Sequence, residues 1–178
     1  MSIEKGMVYI FTGDGKGKTS AALGVAVRAM SNKMRVGWVS WYKEESWPIS
    51  EKSLKFKMHL MGKGFYKLPT DKATPKEHKK AALEALQKAE ELLSKVEVLV
   101  MDEVVKAVAD GLIEEKEVLR VVKKRGKAHV ILTGRGVTRT VLVSGGGRLF
   151  READLVTECK KIKHPFDKGI KAVKGLDY

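Results

Sequence analysis

The sequence predicts an α/β fold in which a mostly parallel sheet is covered by helices on both faces. Three observations carry that expectation. Short β-rich runs alternate with helical stretches along the chain, the pattern of strands joined by crossover helices. The first apolar run leads straight into a glycine-rich turn, Gly13-Asp14-Gly15-Lys16-Gly17-Lys18-Thr19, which opens the first helix. A later, nearly continuous apolar run ends on Asp102-Glu103, as a strand buried on both faces does when it reaches the sheet edge.

Each element follows in order. Met7 to Thr12 reads as a strand, and Lys18 to Ser31 as a helix built on Ala21, Ala22, Leu23, Val25, Ala26 and Ala29. Arg35 to Tyr42, rich in Val and Trp, is a second strand. Residues 43–73 read as irregular and basic, with Gly62 and Gly64 breaking any helix. Thr74-Pro75-Lys76-Glu77 then marks a helix start: Thr74 can cap free N–H groups, Pro75 fits the first helical position, and Glu77 completes a capping box. Ala82, Leu86, Ala89 and Leu93 keep one face of that helix apolar. Val96 to Asp102 is the buried strand, Glu115 to Lys124 a helix, and Ala128 to Thr133 another strand. A helix over part of Thr138 to Arg151, interrupted by Gly145-Gly146-Gly147, and a last strand at Asp154 to Glu158 complete the series. Right-handed crossovers put the C-terminal ends of parallel strands along one edge, where ligands bind. The glycine-rich loop, Asp102-Glu103 and Thr133-Gly134-Arg135-Gly136 all follow such strands, so they should converge on one site.

A length of 178 residues fits one domain, residues 1–178, with 43% hydrophobic and 32% charged residues in the balance of a globular protein. No apolar run approaches the roughly 20 residues that cross a bilayer. The start has no signal-peptide pattern, and the single cysteine, Cys159, suits a reducing compartment, so a cytoplasmic location is expected. The formal charge is +13, from 35 Lys+Arg against 22 Asp+Glu. The dense run of Lys52, Lys55, Lys57, Lys63, Lys67, Lys72, Lys76, Lys79 and Lys80 is either a solvated surface or a patch for a polyanion.

The loop carries the chemistry. Its glycines let backbone N–H groups approach phosphate oxygens without Cβ clashes, and the helix beyond adds its positive end. Lys18 offers a point charge to the terminal phosphates, and the Thr19 hydroxyl is placed to ligate Mg²⁺. Gly13 to Ser20 are therefore the candidate nucleotide-binding residues, with ATP and Mg²⁺ the expected ligands. The general phosphate-loop pattern has a glycine where this chain has Thr12. Asp102-Glu103 has the form of a Walker B end, whose carboxylates hold Mg²⁺ directly or through water. The expected fold is then a three-layer α/β/α P-loop NTPase of the RecA-like kind. His59, His78, His129 and His164 show no metal-ligand spacing with one another or with Cys159, and His129 reads as a satisfied core residue.

These pieces together resemble the ATP:corrinoid adenosyltransferases, which adenosylate cobalamin and its precursors. The loop is similar to that family's GNGKGKT, including the threonine before it, and the likeness continues through Ala21-Ala22-Leu23-Gly24 and Arg28-Ala29. Asp102-Glu103, Thr133-Gly134-Arg135-Gly136, Ala153 to Glu158 and the tail Lys163-His164-Pro165-Phe166-Asp167-Lys168-Gly169-Ile170-Lys171-Ala172 extend it to both ends of the chain. The resemblance implies that a Co(I) corrinoid attacks the 5′ carbon of ATP and that triphosphate leaves. It implies that Lys18 and Glu103 are the catalytic pair, that Thr19, Asp102 and Glu103 serve Mg²⁺, and that Arg135 reaches the phosphates or is a surface arginine in a tight turn. The family's GFTW-like corrin segment corresponds to Gly64-Phe65-Tyr66-Lys67, which keeps Phe65 and has lysine for tryptophan. Trp38, Trp41 and Trp47 either supply the missing aromatic surface or lie in the core. The family's QFIKG-like strand end appears as Ser40-Trp41-Tyr42-Lys43-Glu44. Relatives imply a homodimer, and the basic surface suits an acidic electron-transfer protein such as a flavodoxin.

Two other readings fit the same residues. A nucleic-acid-stimulated RecA-like ATPase would use Glu103 to activate water and the lysine run to hold phosphates, although nucleic acid is not the expected partner. A nucleotide-binding regulator or corrinoid carrier would bind ATP without turnover.

Overall fold

The computed structural model describes residues 4–136 and 147–177. Six strands form one all-parallel sheet in the order β3-β2-β4-β5-β1-β6: β1 Val8–Thr12, β2 Val36–Ser40, β3 Met58–Leu60, β4 Val98–Asp102, β5 His129–Thr133 and β6 Leu155–Glu158. The helices are α1 Lys18–Ser31, α2 Pro75–Leu93, α3 Val104–Ala109, α4 Glu115–Lys123 and α5 Arg148–Glu152.

Alternation along the central strands divides the core into two layers. Leu99 and Met101 of β4 join Val39, Val130 and Leu132 under α2, α3, α4 and α5, while Val98 and Val100 join Phe11, Trp38 and Ile131 under α1 alone. The sandwich is the expected three-layer arrangement. The α2 start is as expected too: the Thr74 hydroxyl accepts from Glu77 N, the Glu77 carboxylate accepts from Thr74 N at 2.7 Å, and Pro75 opens the helix.

Three stretches differ from expectation. The segment 43–73 contains β3 and a 3₁₀ turn at Ser50–Ser53. β3 has three residues and pairs with β2 only, so its alternation is too short to register as a pattern. The six-residue α3 directly after Glu103 was not expected. Of the helix sought within Thr138 to Arg151, only the C-terminal part, α5, is described; positions 137–146, with most of the glycine run, lie outside the described residues. Among the described residues no helix is long and apolar enough to cross a membrane.

Candidate functional site

Parallel register brings the strand ends together. Thr12 stands beside Glu158, Phe11 beside Thr133 and Ser40 beside Asp102, so the loops after β1, β2, β4, β5 and β6 share one edge. Along that edge lies a cavity of about 640 Å³, a size suited to a small ligand. Asp14 to Ser20, Phe65, Glu103 and Arg135 line it, so nearly all the residues singled out from sequence meet there. Gly13 lines an adjoining hollow with Arg135 and Gly136. Asp102 is fully buried behind the cavity wall.

The phosphate loop is shaped by what runs against it. Gly17 precedes α1 in a left-handed conformation, and no side chain caps the helix, which leaves its first N–H groups to the cavity. The chain leaving β6 braces the other side: Cys159 N donates to Thr12 O, Gly15 N donates to Cys159 O at 2.7 Å, and Lys161 N donates to the Asp14 carboxylate at 3.1 Å. That backbone bond holds the Asp14 carboxyl below its ordinary range. Asp14 therefore acts on this strap as well as lining the cavity. Lys16 is tied to the tail, donating to Leu176 O at 3.0 Å and pairing with Asp177. The close passage explains the glycines. A Cβ on Gly15 would come within 2.5 Å of the Lys160 carbonyl carbon, and one on Gly13, at φ 102°, within 2.4 Å of Cys159 O. We expect Gly15→Ala to cost about 1–3 kcal/mol of stability, the usual range for forced overpacking, and to weaken ATP binding. Thermal melting and nucleotide titration of the variant check this; an unchanged melting temperature would mean the strap yields freely.

Thr12 has its own reason. Its side chain is fully buried and donates to Gly134 O at 3.0 Å, fastening the end of β1 to the turn after β5. A glycine there would lose that tie.

Asp102 is a hub. Its Oδ1 accepts from Thr19 Oγ1 at 3.0 Å and from Thr133 Oγ1 at 2.8 Å; its Oδ2 accepts from Ser40 Oγ at 2.7 Å and lies 3.4 Å from Lys43 Nζ. Lys43 also reaches Glu51 at 3.6 Å. Burial opposes the Lys43 charge, but Asp102 and Glu51 outweigh it and its pKa is raised. Ser40, named only within the QFIKG-like strand end, carried no role in the sequence, and Glu51 was not singled out, for both make contacts across distant segments. Lys43 was visible only as a retained family lysine.

Glu103 stands differently. Its backbone is left-handed at φ 65°, its N–H donates to Thr133 Oγ1 at 2.9 Å, and its Oε2 is buried with no hydrogen-bond partner among the described residues. Burial first, and the Asp102 charge second, push its pKa up to about 7. A buried carboxylate oxygen without a partner is costly unless something arrives to satisfy it. Lys18, 5% exposed, donates to Gly15 O at 2.6 Å; burial lowers its pKa, with Arg135 adding to the effect and Glu103 opposing it.

The aromatic question is settled by burial. Trp38 and Trp41 lie in the core, Trp38 in the α1 layer and Trp41 against α2 through its Nε1 bond to Ala82 O. Trp47 is partly exposed, its ring 5.6 Å from that of Phe65, which also stacks on Tyr42 at 5.8 Å. Lys67 turns to the Tyr66 ring, 4.9 Å away. His129 is satisfied as expected, its Nδ1 accepting from Met7 N. His164 lines the cavity together with Lys161, Phe166, Asp167, Ala172 and Asp177, tail positions that no periodicity marks.

Comparison with known proteins fits this geometry. A corrinoid adenosyltransferase of Escherichia coli K12 is 35% identical over 182 residues, covering 98% of this chain and 87% of that protein. The corrinoid adenosyltransferase CobA of Salmonella typhimurium LT2 is 36% identical over 183 residues with the same coverage. Among solved structures, the flagellar accessory protein FlaH of Methanocaldococcus jannaschii overlays with a TM-score of 0.54 at 17% identity, over 88% of this chain and 72% of FlaH, a likeness of fold. Residues 4–178 match the family described as ATP:corrinoid adenosyltransferase BtuR/CobO/CobP, and the chain belongs to that family.

Proposed function

We propose that this chain, acting as one domain, transfers the 5′-deoxyadenosyl group of ATP to the Co(I) of a corrinoid at the cavity above the phosphate loop. The observation that supports it most is the meeting of Lys18, Thr19, Glu103 and Arg135 in one cavity with the exposed ring of Phe65. In this reaction the cobalt electron pair forms the Co–C5′ bond, the C5′–O bond breaks, and its electrons leave on inorganic triphosphate. Co(I) carries no proton, so no general base is needed, and the protein's task is alignment and charge stabilisation.

The residues divide that task. The uncapped N–H groups at the start of α1, with Lys18 and Arg135, receive the negative charge that builds on the leaving triphosphate. Thr19 and Glu103 would hold Mg²⁺, and the partnerless Glu103 Oε2 is the feature that fits it. Asp102, its oxygens occupied by Thr19, Thr133 and Ser40, orients the Thr19 hydroxyl and would serve the cation from behind it. Mg²⁺, when bound, spreads the triphosphate charge as a Lewis acid. Phe65 faces the corrin.

The nine lysines of the run from Lys52 to Lys80 are exposed, and Lys52 and Lys80 lie close to Glu45 and Glu84. This surface suits an acidic reductant such as a flavodoxin in a cytoplasmic setting, and a homodimer is the proposed assembly.

An anaerobic assay with ATP, Mg²⁺ and a chemically reduced Co(I) corrinoid tests the reading. Adenosylcorrinoid and triphosphate in equal amounts are expected. ADP without a cobalt–carbon bond would sink it.

A further inference from the structure

Beyond β6 the chain runs over the phosphate loop as a tail without regular core packing. Its apolar side chains are largely in solvent: Phe166 is 72% exposed, Ile170 52% and Leu176 75%. Free energy disfavours leaving such surface bare, and of these side chains Phe166 stands at the cavity edge. The tail is nevertheless held in place. Lys161 N is bonded to Asp14, Lys161 Nζ donates to Asp167 at 3.0 Å, and Lys16 of the loop holds Leu176 O and Asp177. A 3₁₀ turn, Pro165–Lys168, is capped by His164 Nδ1 accepting from Phe166 N at 3.1 Å. Those ties keep Phe166 at the cavity that Phe65, Lys18 and Glu103 also line.

We propose that the tail forms a second wall of the corrinoid cleft, with Phe166 contacting the corrin ring as Phe65 does from the segment before α2. The inference rests on the adenosyl-transfer reading, which requires a broad, apolar, planar acceptor to reach ATP at this cavity. Phe65 and Phe166 are the two phenylalanines lining it among the described residues. Between positions 160 and 177 the tail carries six lysines against Asp167 and Asp177, and corrin side chains end in amide or carboxylate acceptors that lysine donors complement.

The test uses the full chain with cobalamin as probe. Corrinoid affinity is read by equilibrium dialysis with cob(II)alamin, so that it does not depend on turnover, and Mg-ATP affinity by calorimetry. Phe166→Ala is expected to weaken cobalamin binding and to raise its KM by about 10-fold, the scale of losing one partly buried phenyl ring, with kcat little changed. Mg-ATP affinity should stay within about twofold, and Phe166→Tyr should restore cobalamin binding. Since Phe166 is exposed, the melting temperature should not move. Equal loss of ATP and cobalamin affinity would assign the tail to the nucleotide and overturn the proposal, as would unchanged affinity for both. A wild-type chain that binds cobalamin in a Phe166-dependent way yet forms no adenosyl product would break the functional reading and leave the cleft standing.

Discussion

Lys18→Ala should lower the rate of adenosyl transfer by about 10³-fold or more while leaving the fold intact, because it removes a charge aimed at the leaving group. Lys18 is 5% exposed at the cavity floor, and its one hydrogen bond among the described residues, to Gly15 O, is local to the loop. Burial already disfavours its charged form, so the ammonium gains most when triphosphate enters and neutralises it. The loss should exceed that expected of weaker ATP binding alone, since charge on the bridging oxygen grows as the C5′–O bond breaks. Saturating ATP therefore should not rescue kcat. Lys18→Arg should fail as well, because a planar five-donor fork does not fit a pocket shaped for a compact point charge. Single-turnover formation of adenosylcorrinoid at saturating ATP, with circular dichroism melting as the control for folding, checks both variants. A rate recovered at high ATP would restrict Lys18 to uniform binding.

The sequence was most legible where a feature is local. The α1 boundaries follow from the glycine turn and the apolar stripe, and the α2 start from a capping box contained in four residues. The strand ends carrying Thr12, Asp102 and Thr133 were legible as well, because parallel topology obliges them to share an edge. What stayed hidden is long-range. Ser40 looks like any strand-end serine until β2 pairs with β4 and sets it 2.7 Å from Asp102. Glu51 sits in a segment that reads as irregular, and its approach to Lys43 depends on β3 turning the chain back to the sheet. The tail, visible in the sequence only through its family resemblance and not through any periodicity, is the plainest case. Ile162, Phe166, Ile170, Val173 and Leu176 have no helical or strand packing to report, because they are exposed to solvent rather than packed in the core. Trp41 illustrates the converse: a residue a family comparison could place at the substrate is drawn into the α2 layer by its register on the strand exit.

Glu103→Gln should abolish adenosyl transfer and at the same time stabilise the protein at alkaline pH. The sign follows from the environment. A carboxyl whose pKa rises from 4.5 to about 7 on folding contributes stability that is fully present below the unfolded value and is lost as pH climbs through the folded one. Above about pH 7 the apo protein must hold a buried carboxylate beside Asp102, with an oxygen that no donor among the described residues satisfies. A shift of that size corresponds to roughly 3 kcal/mol at full effect. Glutamine keeps the shape without the charge, so the variant should gain up to about 3 kcal/mol near pH 8, a figure already net of the attraction of Lys18 and Lys106 for the carboxylate. Well below pH 4.5 the two proteins should melt alike, since both are then neutral at this position. Activity should run the other way in the wild type, rising with pH as Glu103 ionises and becomes able to hold Mg²⁺, with the midpoint drawn below 7 by the cation itself. Melting curves from pH 4 to 9 with and without Mg-ATP, beside a pH–rate profile, measure both effects. If Glu103→Gln were less stable than wild type at pH 8 without ligand, the buried charge would already have a partner and its role as the waiting metal ligand would be wrong. If the prediction holds, the instability is part of the site: the carboxylate is left unsatisfied in the empty protein so that the arriving nucleotide and cation can satisfy it.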